Sequence, residues 1–311
     1  MHNQQVAGRA FRHRFEGPFW RRVFLAGVRN IPQSVQRASM PLWAGIFYTL
    51  VPSARRVVER NLERVLGPTT PGLAKARSFR VFVNYAQAIT NMYALHLGQG
   101  VPVETEFEGY EQIKHILDEK RGAIAITGHM GYWQITPFLM AARKWLPPMT
   151  MAMAEEPNRA LGEFEEQFRA KHRIVYTTSS PFATIELANI LRRGEFVGMQ
   201  IDRHMGAAHI MLPFCGRPAP FPIGSATLAR ATGSPLVPVF ALARKGNRKK
   251  CTVLVEKPIE VAHTRNRDAD VRAAMEKVVE VYERYVRTYP EQWFNFYDFW
   301  NPPAPPVGHG A

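Results

Sequence analysis

Two cysteines in 311 residues, Cys215 and Cys251, are too few for a disulfide framework, and no cysteine–histidine cluster has zinc-ligand spacing. The chain therefore reads as facing a reducing cytoplasm, with no metal in its site. A membrane-spanning run is also missing. The longest apolar stretch, Ala38 to Val51, is 14 residues long and contains Pro41, whereas a spanning helix needs about 20. That length fits a segment lying in a membrane interface. Residues 1–30 have no signal-peptide core, and no internal repeat is visible. Acidic residues are nearly absent from the first quarter. Residues 1–80 hold 14 Arg and Lys against Glu16, Glu59 and Glu63, so this quarter carries +11 of the net +14.

Such a basic region suits nucleic acid or an anionic membrane. Its company decides between them. Phe11, Phe15, Phe19, Trp20, Phe24, Leu42, Trp43, Ile46, Phe47 and Leu50 are interleaved with the arginines, the composition of a segment in a headgroup layer. No glycine-rich or RNA-recognition signature accompanies these aromatics, so anionic membrane lipids, and no nucleic acid, are the expected partners. Residues 1–100 read as helical and membrane-associating. Arg55 to Leu66, closed by Gly67-Pro68, is the clearest amphipathic helix, and a second runs from about Leu73 to Leu97.

Past Val101-Pro102 the texture changes. Strands are predicted at Ala123–Thr127, Met149–Ala154, Ile174–Thr178, Phe196–Ile201, His209–Leu212, Leu236–Leu242 and Thr252–Glu256. Helices are predicted at Glu111–Lys120, Trp133–Lys144, Arg159–Lys171, Pro181–Arg193, Ser225–Thr232 and Asp268–Tyr289. This alternation implies an α/β fold over 101–300, with a largely parallel central sheet flanked by helices. Residues 301–311 read as a disordered proline-rich tail.

Three stretches carry possible chemistry. In the first, an apolar strand ends at Gly128-His129, followed by Met-Gly-Tyr-Trp-Gln134. The loop past a strand's carboxyl end is where α/β proteins place chemistry, and a histidine there can take a proton from a hydroxyl near neutral pH. Gln134 is expected in the first turn of the next helix, close enough to orient the ring. In the second, a strand from Phe196 delivers Asp202 and Arg203, an arginine for phosphate or carboxylate oriented by the aspartate. In the third, a proline-rich loop through Pro222 and Gly224 leads into a helix near Ser225, whose exposed amides suit an anion. The plainer alternatives are a structural histidine, a surface ion pair and an ordinary N-cap.

Together these blocks resemble the lysophospholipid acyltransferase superfamily, and within it the bacterial late lipid A acyltransferase branch. Gly-His-Met-Gly-Tyr-Trp-Gln is similar to that branch's Gly-His-x-Gly-Asn-Trp-Glu. Leu191 through Asp202, Pro213 through Pro238, Tyr289-Pro-Glu-Gln-Trp293 and Arg55 through Leu62 resemble four further blocks. The resemblance implies a peripheral or monotopic enzyme on the cytoplasmic face of a bacterial inner membrane. It would move a fatty acyl chain from an acyl carrier protein or coenzyme A thioester to a hydroxyl of a lipid or glycolipid acceptor, with no bound cofactor. His129 would be the general base and Gln134 its partner. Arg203, set by Asp202, and Arg169 would hold phosphate, and Pro222, Gly224 and Ser225 would shape the acceptor site.

Two departures stand out. The branch has an acidic residue where this chain has Gln134, and an amide brings no charge. Either turnover is slow, or another carboxylate (Asp202 or Glu155) approaches His129, or the site binds without reacting. After Trp293 the branch continues with basic residues, whereas this chain has Phe294-Asn-Phe-Tyr-Asp-Phe-Trp300.

Overall fold

Pro52 and Pro71 each open a helix, at the position where a missing N–H costs nothing. They begin α3 (Pro52–Leu66) and α4 (Pro71–His96), which follow α1 (Pro18–Asn30) and α2 (Gln33–Leu50). The computed structural model describes residues 18–99, 103–153, 173–177, 182–203 and 208–302. The segment before 18, the helix expected over Arg159–Lys171, Glu155, and the tail from 303 lie outside the described residues.

Helices α2 and α3 pack on α4. They bury Met40, Ala44, Val58, Leu62, Val81 and Phe82. The other side of α2 stays open: Leu42 is 66% exposed and Trp43 52%, beside exposed Val35, Ile46 and Leu50. Among the described residues no helix is long and apolar enough to cross a membrane.

The central sheet has the order β1-β9-β8-β2-β5-β3-β4. Its strands are β1 (Glu104–Glu108), β2 (Ala123–Thr127), β3 (Met149–Met153), β4 (Ile174–Tyr176), β5 (Phe196–Gln200), β8 (Leu236–Arg244) and β9 (Asn247–Val255). From β8 to β4 all neighbours run parallel; β9 turns back antiparallel on β8, and β1 lies parallel to β9. Side chains alternate between the two faces of a strand, so β2 sends Ile124 and Ile126 into one core and Ala123 and Ala125 into the other. Helices α5 (Tyr110–Asp118), α7 (Ala183–Arg192), α8 (Gly224–Thr232) and α9 (Arg267–Thr288) are among those that flank the sheet. Burial on both faces is why β2 and β8 read as unbroken apolar runs.

Three features depart from the sequence reading. Residues 217–222, read as a proline-rich loop, form β7 (Arg217–Pro222), paired antiparallel with β6 (His209–Phe214) in a separate two-stranded ribbon. Pro218, Pro220 and Pro222 alternate, so their missing N–H groups fall on one edge, away from the ladder. Strand β1 was not expected, because its sequence Glu-Thr-Glu-Phe-Glu is acidic. It sits at the sheet edge, its carboxylates facing Arg244 and Lys250 of β8 and β9, as a guarded edge strand does. The helix expected over Trp133–Lys144 shrinks to α6 (Thr136–Ala141). Pro137 sets its first turn, and residues 131–135 are turns, so Gln134 precedes the helix and is not in its first turn.

Candidate active site

Strands β2 and β5 are adjacent and in register, Ala123 opposite Phe196 and Thr127 opposite Gln200. His129 and Asp202 each stand two residues beyond those paired ends, so the sheet delivers them at the same height. The Ile201 amide still donates to the Thr127 carbonyl (3.0 Å), which carries the alignment past the strands. There His129 Nδ1 lies 2.7 Å from Asp202 Oδ1, and the His129 amide donates to Oδ2 at 2.7 Å. The Asp202 side chain is wholly buried and that of His129 is 9% exposed.

The carboxylate accepts two more bonds. Tyr282 from α9 donates its hydroxyl to Oδ2 at 2.7 Å, and Asn295 Nδ2 approaches the same oxygen at 3.3 Å. Tyr297 donates to the Asp202 carbonyl (2.8 Å). Burial alone would raise the Asp202 carboxyl. The His129 ring, Arg203 and the His129 amide outweigh it and hold the group well below the usual carboxylate range. For His129, burial and then the nearby Arg203 cation push the ring below its ordinary value, against the pull of Asp202. The pair is thus a neutral imidazole beside a carboxylate near neutral pH. An ionised carboxylate only accepts, so Nδ1 carries the proton and Nε2 keeps its lone pair. Among the described residues Nε2 makes no hydrogen bond.

The loop that holds the ring is clamped by the C-terminal segment. Met130 bridges Trp293, the Gly131 amide donates to the Gln292 carbonyl (2.8 Å), and the Phe294 amide donates to the His129 carbonyl (2.8 Å). Gln292 in turn binds both the amide and the carbonyl of Ala243 at the end of β8 (2.8 and 2.9 Å). Two glycines make this packing possible. Gly131 has φ +58°, and a Cβ on it would overlap the Ala241 carbonyl. A Cβ on Gly128 would overlap the Tyr282 ring. The aromatic segment after Trp293 is therefore a wall of the site: Phe294, Asn295, Phe299 and Trp300 are all buried.

Gln134 makes no hydrogen bond to His129; its Oε1 is buried and has no partner. The expected arrangement is corrected here, because Asp202 already fills Nδ1. Asp202 likewise does not orient Arg203. No ion pair joins them; the exposed guanidinium lies over the Tyr297 ring (5.9 Å) and 3.4 Å from the Phe294 carbonyl. Pro222 ends β7, Gly224 opens α8, and Ser225 is buried in the first turn of α8 with its Oγ unpartnered. Ser225 is thus not the N-cap; that position is Ile223, with no side-chain cap bond. Arg169 lies outside the described residues. Tyr282, Asn295 and Tyr297 were not singled out from sequence. The nearest signal was the aromatic density that begins at Trp293, whereas Tyr282 is masked by an ordinary apolar helical spacing.

Comparison with known proteins gives the family of the chain. Residues 9–301 match the family model of the bacterial lipid A biosynthesis acyltransferases. Among solved structures, the 1-acyl-sn-glycerophosphate acyltransferase from Thermotoga maritima is similar at 16% identity and a TM-score of 0.40, over 85% of this chain and 100% of that one. None of the curated proteins compared matches the chain.

Proposed function

This chain belongs to the bacterial lipid A biosynthesis acyltransferase family, and from that membership we propose that it moves a fatty acyl chain from a thioester to a hydroxyl of a membrane lipid or glycolipid. The observation that supports the reading best is the buried 2.7 Å pair of His129 Nδ1 and Asp202, with Nε2 left unbonded. The donor is an acyl carrier protein or coenzyme A thioester. His129 Nε2 takes the proton of the acceptor hydroxyl as its oxygen attacks the thioester carbonyl. The tetrahedral adduct collapses, the C–S bond breaks, and the leaving thiolate recovers the proton from His129. Asp202 keeps the ring in the needed tautomer and stabilises the transient imidazolium. Arg203, exposed beside this pair, binds phosphate of the donor or acceptor. Pro222, Gly224 and Ser225 shape the acceptor side, with the buried Ser225 hydroxyl free to bond an acceptor group.

In an assay with an acyl thioester and lipid acceptors in anionic vesicles, the wild-type protein is expected to form acylated lipid. His129→Ala is expected to lower the rate by about 10²–10⁴, the usual worth of a general base. Mass spectrometry of the lipids gives the answer, and undiminished transfer by His129→Ala would overturn the assignment.

The same reading places the protein on an anionic inner membrane from its cytoplasmic side, held by the exposed apolar side of α2. Leu42→Glu with Trp43→Glu is expected to abolish flotation with anionic vesicles in 1 M-range salt, while wild type still floats because apolar insertion is not screened. Release of the wild-type protein by salt alone would remove the insertion claim.

A further inference from the structure

We propose that Tyr282, backed by Trp293, is a positioning residue that acts on His129 through Asp202: its hydroxyl bond to Asp202 Oδ2 draws charge from the carboxylate and so sets how strongly Oδ1 holds the ring. This rests on the acyl-transfer reading for its kinetic consequence, though not for its geometry.

The direction of each bond follows from what the groups can do. An indole N–H only donates, and Trp293 Nε1 lies 2.9 Å from the Tyr282 oxygen. Tyr282 therefore accepts from Trp293 and commits its own proton to Asp202 Oδ2 at 2.7 Å. A one-way chain results, from Trp293 to Tyr282 to Asp202, with Asp202 then facing His129. Oδ2 takes Tyr282, the His129 amide and Asn295, which leaves Oδ1 for the imidazole.

The tyrosine ring has no freedom to send its hydroxyl elsewhere. It is wholly buried, stacked against Phe214 (5.7 Å, 16°) and Phe240 (6.4 Å, 17°), with Phe221 edge-on. Its outer edge fills the space that a Cβ on Gly128 would occupy. The glycine before the histidine is thus explained by the tyrosine: a larger residue there would push the hydroxyl away from Asp202. Among the described residues, the charged or titratable groups facing this cluster are His129 after β2, Asp202 and Arg203 after β5, Tyr282 of α9 and Tyr297 of the C-terminal segment. Strands β6, β7 and β8 contribute Phe214, Phe221 and Phe240.

A hydroxyl bond to a carboxylate spreads its charge and weakens its hold on other donors. Removing it should leave Asp202 a stronger acceptor for the His129 ring and favour the imidazolium. The test is the titration of the His129 ring in the full-length protein, followed by NMR with its signal identified by loss in His129→Gln. In Tyr282→Phe the midpoint is expected to rise by roughly half a pH unit or more, and in Trp293→Phe by a smaller amount in the same direction. The acid limb of kcat/KM should move up with it. Thermal unfolding checks that both variants stay folded, and Phe214→Leu, which loosens the same aromatic packing without touching the chain of bonds, should leave the midpoint in place. An unmoved or lowered midpoint in folded Tyr282→Phe, or an equal rise in Phe214→Leu, would overturn the proposal. Because the titration needs no turnover, it still decides the role of Tyr282 if His129→Ala retains transfer and the acyl-transfer reading itself fails.

Discussion

Asp202→Asn is expected to lower kcat for acyl transfer by about 10³–10⁴ while KM changes by less than about threefold. The same change behind the histidine of serine proteases costs about 10⁴, because an amide favours the wrong tautomer and cannot stabilise an imidazolium. The effect should be as large here, since the carboxylate is wholly buried and no other acid touches the ring among the described residues. Loss of bulk structure would also abolish activity, so a second readout is needed. Removing the anion removes a pull that raises the His129 pKa. The ring then protonates at lower pH, and the acid limb of the residual activity should move down. Unfolding would shrink the activity without moving that limb. Asp202→Asn with near wild-type kcat would show that the pair is structural.

Gly131→Ala is expected to destabilise the protein by about 3 kcal/mol, a large share of the 5–15 kcal/mol typical of a folded chain. Two costs add. The backbone at Gly131 is left-handed, with φ +58°, which charges an alanine about 1–2 kcal/mol. Its Cβ would also overlap the Ala241 carbonyl, which already accepts the Tyr132 amide at 2.6 Å; forcing backbone apart in a packed core costs about 1–3 kcal/mol. A fall in Tm of about 5–10 °C is expected, with activity lost alongside it, because Gly131 joins the His129 loop to Gln292. An unchanged Tm would mean that the loop relaxes freely and that the clamp is looser than its hydrogen bonds imply.

Much of this site was visible in the sequence as separate pieces. The apolar run of β2 ends where expected and that of β5 one residue earlier, and His129 and Asp202 both stand out past those ends. Their pairing was not legible, because chain order gives no strand order. After β2 the chain runs outward to β3 and β4, then returns to insert β5 beside β2. That return brings together two residues 73 positions apart. Local spacing instead favoured Gln134, five residues from His129, and the turns at 131–135 and Pro137 keep it off the ring. The alternating prolines of β7 and the acids of β1 hid two strands whose pairing depends on which edge faces out. Tyr282 carries no mark in sequence that separates it from its apolar neighbours in α9; only the space above Gly128 reveals its task.

The glutamine at position 134 no longer argues against turnover, since the charge the site needs stands on another strand. The measurement that tests this most directly is kcat of Gln134→Ala set beside that of Asp202→Asn, on the same acceptor and thioester. Gln134→Ala is expected within about tenfold of wild type, while Asp202→Asn falls by at least about 10³. The reverse order, with Gln134→Ala inactive and Asp202→Asn active, would contradict the account.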